Sequence, residues 1–173
     1  DGWTVQDSPP GAAAAATHAR TAHLDPDWLD GALQEERSVV ALYNARAATA
    51  IVPARSVAEF GTALLPDDDA GLKAIVGPAL PGRTADFAEP VALAVQAIAD
   101  SLDGTRRSRD DLHEDLRGRL PAELLPWCEG CQSHHVRRGL LVMASLRGRL
   151  CLAGRDGRQP VFARTDQWTG WKA

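Results

Sequence analysis

Residues 133–164 read SHHVRRGLLVMASLRGRLCLAGRDGRQPVFAR, and the fold turns on how this stretch is parsed. Val136, Leu140, Leu141 and Met143 fall on one face at helical spacing, with His134, Arg137 and Arg138 off it, which predicts a helix over Ser133 to Leu146. The period then changes. Arg149–Leu152 and Pro160–Arg164 are strand-like and flank Gly154-Arg155-Asp156-Gly157, a Gly/Asp turn signal, so a β-hairpin follows the helix. Upstream, Val91, Leu93, Val95, Ile98 and Leu102 recur at helical spacing until Gly104. Ser108-Arg109-Asp110-Asp111 is a capping sequence with an acid at its fourth position. It opens a short helix striped by Leu112, Leu116 and Leu120 that stops at Gly118 or Pro121.

Helix, capped helix, basic helix and hairpin, in that order, make a winged helix-turn-helix, a module that docks on duplex DNA. On that template Arg137 and Arg138 stand near the N-terminal end of the groove-entering helix. Arg155 and Arg158 stand at the tip of a wing over residues 149–164, placed for backbone or minor-groove contact. The alternative for the same pattern is a helical domain with a solvated basic face.

The first half of the chain is less regular. An extended start leads into the alanine-rich Gly11–Leu24, and Asp25-Pro26 opens a short helix to Leu33. Ser38–Tyr43 and Thr49–Val52 are apolar and partly β-branched, are joined by Asn44–Ala48, and stop at Pro53, which predicts a β-hairpin over residues 38–52. Helices are expected at Ser56–Leu65 and Asp67–Val76, before a Gly/Pro-rich link from Gly77 to Gly82. The expected fold is therefore mainly α with small β-hairpins, in tandem winged helix-turn-helix units. An incomplete first unit covers residues 1–80 and a second covers 84–173.

Charge separates along the chain. Net charge is −4, yet residues 1–100 hold 6 basic and 14 acidic side chains, and residues 101–173 hold 13 basic and 9 acidic. From Gly130 onward there are 8 cations against 2 acids, all but Lys172 being arginine. A basic half on an acidic chain is the pattern of a surface that meets phosphate, and the planar guanidinium suits phosphate and guanine edges. No apolar run approaches the roughly 18 residues that cross a bilayer, so no membrane partner is expected. Three cysteines are too few and too clustered for a secreted disulfide framework, which points to a reducing cytoplasm.

Cys128-Glu129-Gly130-Cys131 followed by His134 and His135 holds the thiolate and imidazole donors that tetrahedral zinc takes. Against zinc, the histidines follow Cys131 more closely than in ordinary fingers, and no second CxxC exists; the alternative packs Cys128 with Trp127 and sends the histidines to phosphates or a helix cap. Thr4-Val5-Gln6-Asp7 offers an amide and a carboxylate that could position a water, although such residues beside Ser8-Pro9-Pro10 are ordinarily turn chemistry. Tyr43, Asn44 and Arg46 sit at the first hairpin's tip, where Arg46 could reach DNA. No phosphate-binding glycine loop, nucleophile elbow or HExxH helix is present, so nucleotide-dependent and serine-hydrolase chemistries lack support.

Five strings occur together and in order: Val5-Gln6-Asp7-Ser8-Pro9-Pro10-Gly11, Glu36-Arg37-Ser38, Ala63-Leu64-Leu65-Pro66-Asp67-Asp68, Leu125-Pro126-Trp127-Cys128 with Cys131 and His134-His135-Val136, and Arg164-Thr165-Asp166-Gln167-Trp168. Through them the chain resembles the bacterial winged helix DNA-binding family that includes the azinomycin-resistance alkylpurine DNA glycosylase. The resemblance implies a segment of a longer protein, built from tandem winged helices around DNA. In that family's glycosylases a Gln-x-Gln motif sets a water against the sugar carbon of an N-alkylated purine. Its second Gln matches Gln6, whereas its first matches Thr4, whose hydroxyl reaches less far than an amide. Asp7 is then the nearest carboxylate to serve as base, and the hairpin 38–52 matches the element that probes the duplex at the lesion. Because a cationic alkylated purine already leaves readily, such a site needs to align water and stabilise an oxocarbenium ion, without cofactor or metal. The expected function is DNA-repair glycosylase chemistry on double-stranded DNA carrying alkylated purines. The alternatives are a non-catalytic winged-helix regulator and a helical protein-interaction domain.

Overall fold

The structure is a computed structural model that describes residues 4–170. Its elements, in chain order, are β1 (Val5–Gln6), α1 (Ala12–His18), α2 (Trp28–Gln34), β2 (Val39–Tyr43), β3 (Thr49–Pro53), α3 (Val57–Leu64), α4 (Asp69–Val76), α5 (Ala88–Ser101), β4 (Arg107–Ser108), α6 (Arg109–Arg117), β5 (Trp127–Cys128), β6 (Ser133–His134), α7 (Arg138–Leu146), β7 (Cys151–Asp156), β8 (Gln159–Ala163) and α8 (Thr165–Thr169). Six strands form one antiparallel sheet in the order β1-β3-β2-β7-β8-β4, and β5 pairs with β6 alone.

The β2–β3 hairpin follows from β-branched alternation and from Asn44, whose Oδ1 accepts the N–H groups of Arg46 at 2.9 Å and Ala48 at 3.1 Å to close the turn. Because side chains alternate across a strand, Val40, Leu42, Ala50 and Val52 pack on one face against Val57 of α3, Cys151, Ala163 and Trp168. Ala41 and Ile51 pack on the other, against Ala13 of α1 and Leu29 of α2. The two segments expected as separate units share this sheet: residues 1–80 supply β1 to β3, residues 84–173 supply β4, β7 and β8, and Ala41 pairs with Leu152 where they meet.

The main core lies under α5, α6 and α7, filled by Phe87, Ile98, Leu102, Leu112, Leu116, Leu140 and Met143. Helix α7 is its axis. Every residue from Leu140 to Leu146 is buried, between α5, α3, α4 and β2, and the Ser145 hydroxyl accepts the Tyr43 N–H at 2.9 Å. Helix α6 begins as its sequence prescribes. Ser108 Oγ accepts the Asp111 N–H at 3.2 Å and its hydroxyl donates to the Asp111 carboxylate at 2.6 Å. Losing an N-cap costs about 1 kcal/mol, so Ser108→Ala is expected to lower the melting temperature by about 2–4 °C for a chain of this size. Thermal unfolding followed by circular dichroism checks this, and an unchanged midpoint would show the cap to be idle.

Several boundaries differ from the sequence reading. The third helix begins at Arg138, not Ser133, because Ser133 and His134 pair with Cys128 and Trp127, and Arg137 is extended at φ −84°, ψ 157°. The alanine-rich helix stops at His18 rather than Leu24. Helix α2 starts at Trp28 with Asp27 in the cap position, while Asp25 Oδ1 accepts the Asp27 N–H in a preceding turn. In the second hairpin β7 continues through Asp156, so the turn is Gly157-Arg158. Arg155 therefore lies in the strand opposite Pro160, not at the tip. Strand β4, which closes the sheet against β8, had no local signal.

Candidate active groove and nucleic-acid interface

A groove of about 820 Å³ lies on the α1–α2 side of the sheet. Ala41, Ile51 and Leu152 floor it, Asp7 and Asp30 stand at one wall, and Arg106, Ser108 and Asp111 stand at the other, with Arg155 and Asp156 of β7 also lining it. Asp7 enters it because β1 places alternate residues on opposite faces. Val5 packs on the Ile51 side, and Asp7 follows two residues later. Asp7 is also anchored. Its N–H donates to the Thr49 carbonyl at 2.8 Å, and its Oδ1 accepts the N–H groups of Gly11 at 2.8 Å and Ala13 at 3.0 Å, capping α1. No other hydrogen bond to this carboxylate occurs among the described residues.

The three residues read as a catalytic set do not converge. Thr4 and Gln6 fall on the opposite face of β1 from Asp7. Thr4 is exposed beside a hollow of about 420 Å³ lined by Val52, Phe60 and Leu64. Gln6 is exposed, and its amide donates to the Ser8 carbonyl at 3.3 Å. One water cannot be shared by Gln6 and Asp7 across the strand.

The arginines divide into committed and uncommitted groups. Arg164 pairs with Asp103 at 2.6 Å and Asp166 at 2.5 Å, and its guanidinium holds the Asp166 carboxyl below the usual carboxylate range. Arg137 is half-buried and donates to the Trp127 carbonyl at 2.5 Å. Arg138 is exposed, with its guanidinium carbon 5.1 Å from the centre of the Tyr43 ring. Arg109 and Arg155 also act on the Tyr43 hydroxyl, drawing its pKa down, but burial outweighs the three cations and leaves it raised. The Arg138 guanidinium, from the start of α7, thus lies over the ring at the end of β2. Arg158 is exposed at its turn, where its carbonyl accepts from Arg155 at 2.7 Å, and Arg46 is exposed on the first hairpin. Among the described residues Arg46, Arg138, Arg155 and Arg158 have no acidic partner within ion-pair distance. Lys172 lies outside the described residues. The burial of α7 corrects its expected role: with only its first residue well exposed, it cannot lie along a DNA groove.

A second cluster forms at the β5–β6 turn. Ligand atoms of Cys128, Cys131 and His135 lie within 4.8 Å of one another. A backbone hydrogen bond from Cys131, helped by His135, draws the Cys128 thiol down to about 7. His134, also expected there, is turned away: its Nδ1 meets the Leu125 carbonyl at 2.8 Å and its ring stands edge-on to Trp127. Sequence reasoning did not single out His113, whose ring stacks on His135 at 4.3 Å. Nor did it single out Arg109, Arg106 and Asp30, since nothing local marks residues that tertiary pairing brings together.

No helix among the described residues is long and apolar enough to cross a membrane. No curated protein sequence matches the chain. Among solved structures the DNA glycosylase AlkZ of Streptomyces sahachiroi shares the fold, with a TM-score of 0.65 at 17% identity over 98% of this chain. The chain spans 44% of that protein's length. The sequence profile of the DNA glycosylase AlkZ-like family matches residues 2–173, and this helix-rich chain with its antiparallel sheet belongs to that family.

Proposed function

We propose that the chain works on duplex DNA as a glycosylase for alkylated purines, docking through a winged-helix unit and hydrolysing at Asp7. The observation that carries this reading is the position of Asp7, a carboxylate on the wall of a groove that also takes in Arg155, an arginine with no acidic partner among the described residues. The order α5-β4-α6-β5-β6-α7-β7-β8, with β4 paired to β8 and the small β5–β6 hairpin inserted before α7, supports the winged-helix assignment. Docking then uses the hairpin arginines and the helix starts, through Arg46, Arg138, Arg155 and Arg158, because α7 itself is enclosed.

The chemistry suits the charges. Water adds to the sugar carbon, the bond to the purine nitrogen breaks, and its electron pair neutralises the cationic alkylated base. The water's proton passes to the Asp7 carboxylate. Asp7, Asp30, Asp111 and Asp156 outnumber Arg106 and Arg155 along the groove and leave it negative, which favours the oxocarbenium ion that develops. Arg155, which lines the groove, and Arg46, Arg138 and Arg158 outside it hold the phosphates that those acids would otherwise repel. The cytoplasm, where thiols stay reduced, is the proposed compartment.

A non-catalytic DNA-binding role is the second reading, favoured by the separation of Gln6 from Asp7 and by the use of Asp7 Oδ1 as a helix cap. Release of free base from alkylated duplex distinguishes the two. Docking has its own test. Affinity for duplex DNA should fall with salt at a log–log slope of about −0.9 per phosphate neutralised. Arg138→Ala with Arg155→Ala should make that slope shallower by about 2. A filter-binding titration that shows no salt dependence would remove DNA from the account.

A further inference from the structure

We infer that Cys128, Cys131 and His135 form a binding site for a zinc ion, with a solvent molecule as fourth ligand. The inference stands apart from the glycosylase reading, because it rests on the geometry of the β5–β6 turn. Pairing of Trp127 with His134 and of Cys128 with Ser133 leaves residues 129–132 as a tight turn. The Cys131 N–H bonds to the Cys128 carbonyl at 3.2 Å, and Gln132 takes a left-handed φ of 51°. That turn folds Cys131 back beside Cys128, and His135 follows directly after the strand. Two Sγ atoms and a ring nitrogen within 4.8 Å of one another need only small side-chain rotations to reach zinc at about 2.3 Å and about 2.0–2.1 Å.

His135 supplies the observation that points to a ligand rather than to three neighbours by chance. Its side chain is buried, at 7% exposure, and its Nε2 has no nitrogen or oxygen partner, the ring acting instead on the Cys128 thiol. Its Nδ1 lies 2.6 Å from the Val136 carbonyl, which can only accept, so the ring proton sits on Nδ1. Nε2 then presents its lone pair, the tautomer that a metal takes when a carbonyl orients the ring from behind. An imidazole nitrogen buried with no acceptor or donor better than a thiol is under-satisfied, and a bound cation removes that cost. The His113 ring, stacked flat at 6° against His135, holds the ring plane.

Two thiolates with one imidazole select a soft ion such as zinc over magnesium or calcium. Two thiolates also balance its charge, so the loaded site is neutral beside Arg137. Cys131 is exposed and Cys128 half-buried, which leaves the fourth position open to water. The ion would tie the turn to the segment that leads into α7, and so fix where Arg137 and Arg138 begin that helix.

The test uses the full chain, reduced and without a histidine tag. Metal analysis after zinc loading and dialysis should find one equivalent. Cobalt in its place should give a thiolate charge-transfer band and intense tetrahedral ligand-field bands. Cys131→Ser is the informative variant, because this exposed side chain can change without disturbing the core. It should abolish the charge-transfer spectrum of the native site and weaken zinc by more than about 100-fold, beyond the loss from changing a residue that only hydrogen-bonds a ligand. Cys151→Ser, at the buried third cysteine, should leave both intact. Reduced protein that takes up no cobalt, or a Cys131→Ser variant that retains full zinc affinity, would overturn the site. So would a Cys128–Cys131 disulfide that persists in the reducing buffer.

Discussion

Gly61→Ala is expected to destabilise the protein by about 3 kcal/mol, at the upper end of what overpacking costs, and to lower its melting temperature by about 6–12 °C. Gly61 is buried in α3 where that helix crosses the end of α7, and a Cβ there would overlap the carbonyl oxygen of Leu146 and come within 3.3 Å of its carbon. Both atoms are backbone, so no side chain can rotate away, and relief requires the helices to separate. A second crossing, of α4 with α7, is tight near the start of α7, where a Cβ on Gly139 would stand 2.5 Å from the Ile75 carbonyl oxygen. Gly31→Ala is the control. Its Cβ would meet nothing within 4 Å in the middle of α2, so the change should stabilise by about 0.5–1 kcal/mol through helix propensity alone. Equal midpoints for the two variants would show that the close approach of α3 to α7 is not real.

Asp7→Asn should reduce base release by about 10²–10⁴-fold, the range for a positioned general base, while leaving the fold in place. The asparagine Oδ1 can go on accepting the Gly11 and Ala13 N–H groups, so α1 stays capped. What is lost is the negative charge at the helix N-terminus, worth about 0.3–1 kcal/mol, and the capacity to take a proton from water. A fall in rate with an almost unchanged unfolding midpoint therefore separates chemistry from structure. Gln6→Ala, on the other face of β1, should change the rate little if the groove is the site. The reverse result, with Gln6→Ala inactive and Asp7→Asn active, would move hydrolysis to the face that carries Thr4.

The sequence marks these features unevenly, for physical reasons. The β2–β3 hairpin was legible because β-branched alternation, Asn44 and Pro53 are local signals, and α6 was legible because Ser108 and Asp111 form its cap within one turn. The strands β4, β5 and β6 were not. Each is two residues long, and long-range partners decide it rather than composition, as when Arg107 meets Phe162. The start of α7 was misplaced for the same reason, since pairing of Ser133 and His134 overrides their place in an apolar period. The burial of α7 had a signal that was missed. Leu140 to Leu146 is apolar apart from Ser145, and a helix without a polar face belongs inside a core rather than on DNA. Of the candidate site, the Cys128–Cys131 spacing was legible. The choice of His135 over His134 depends on which of two neighbours a strand turns inward.

Hydrolysis in the groove is tested by incubating the protein with duplex DNA carrying N7-alkylguanine and measuring the free base released over time. Release well above spontaneous depurination is expected without added cofactor, as is its loss in Asp7→Asn. Release at the spontaneous rate, with DNA binding intact, would contradict hydrolysis and leave a protein that binds DNA without cutting its glycosidic bonds.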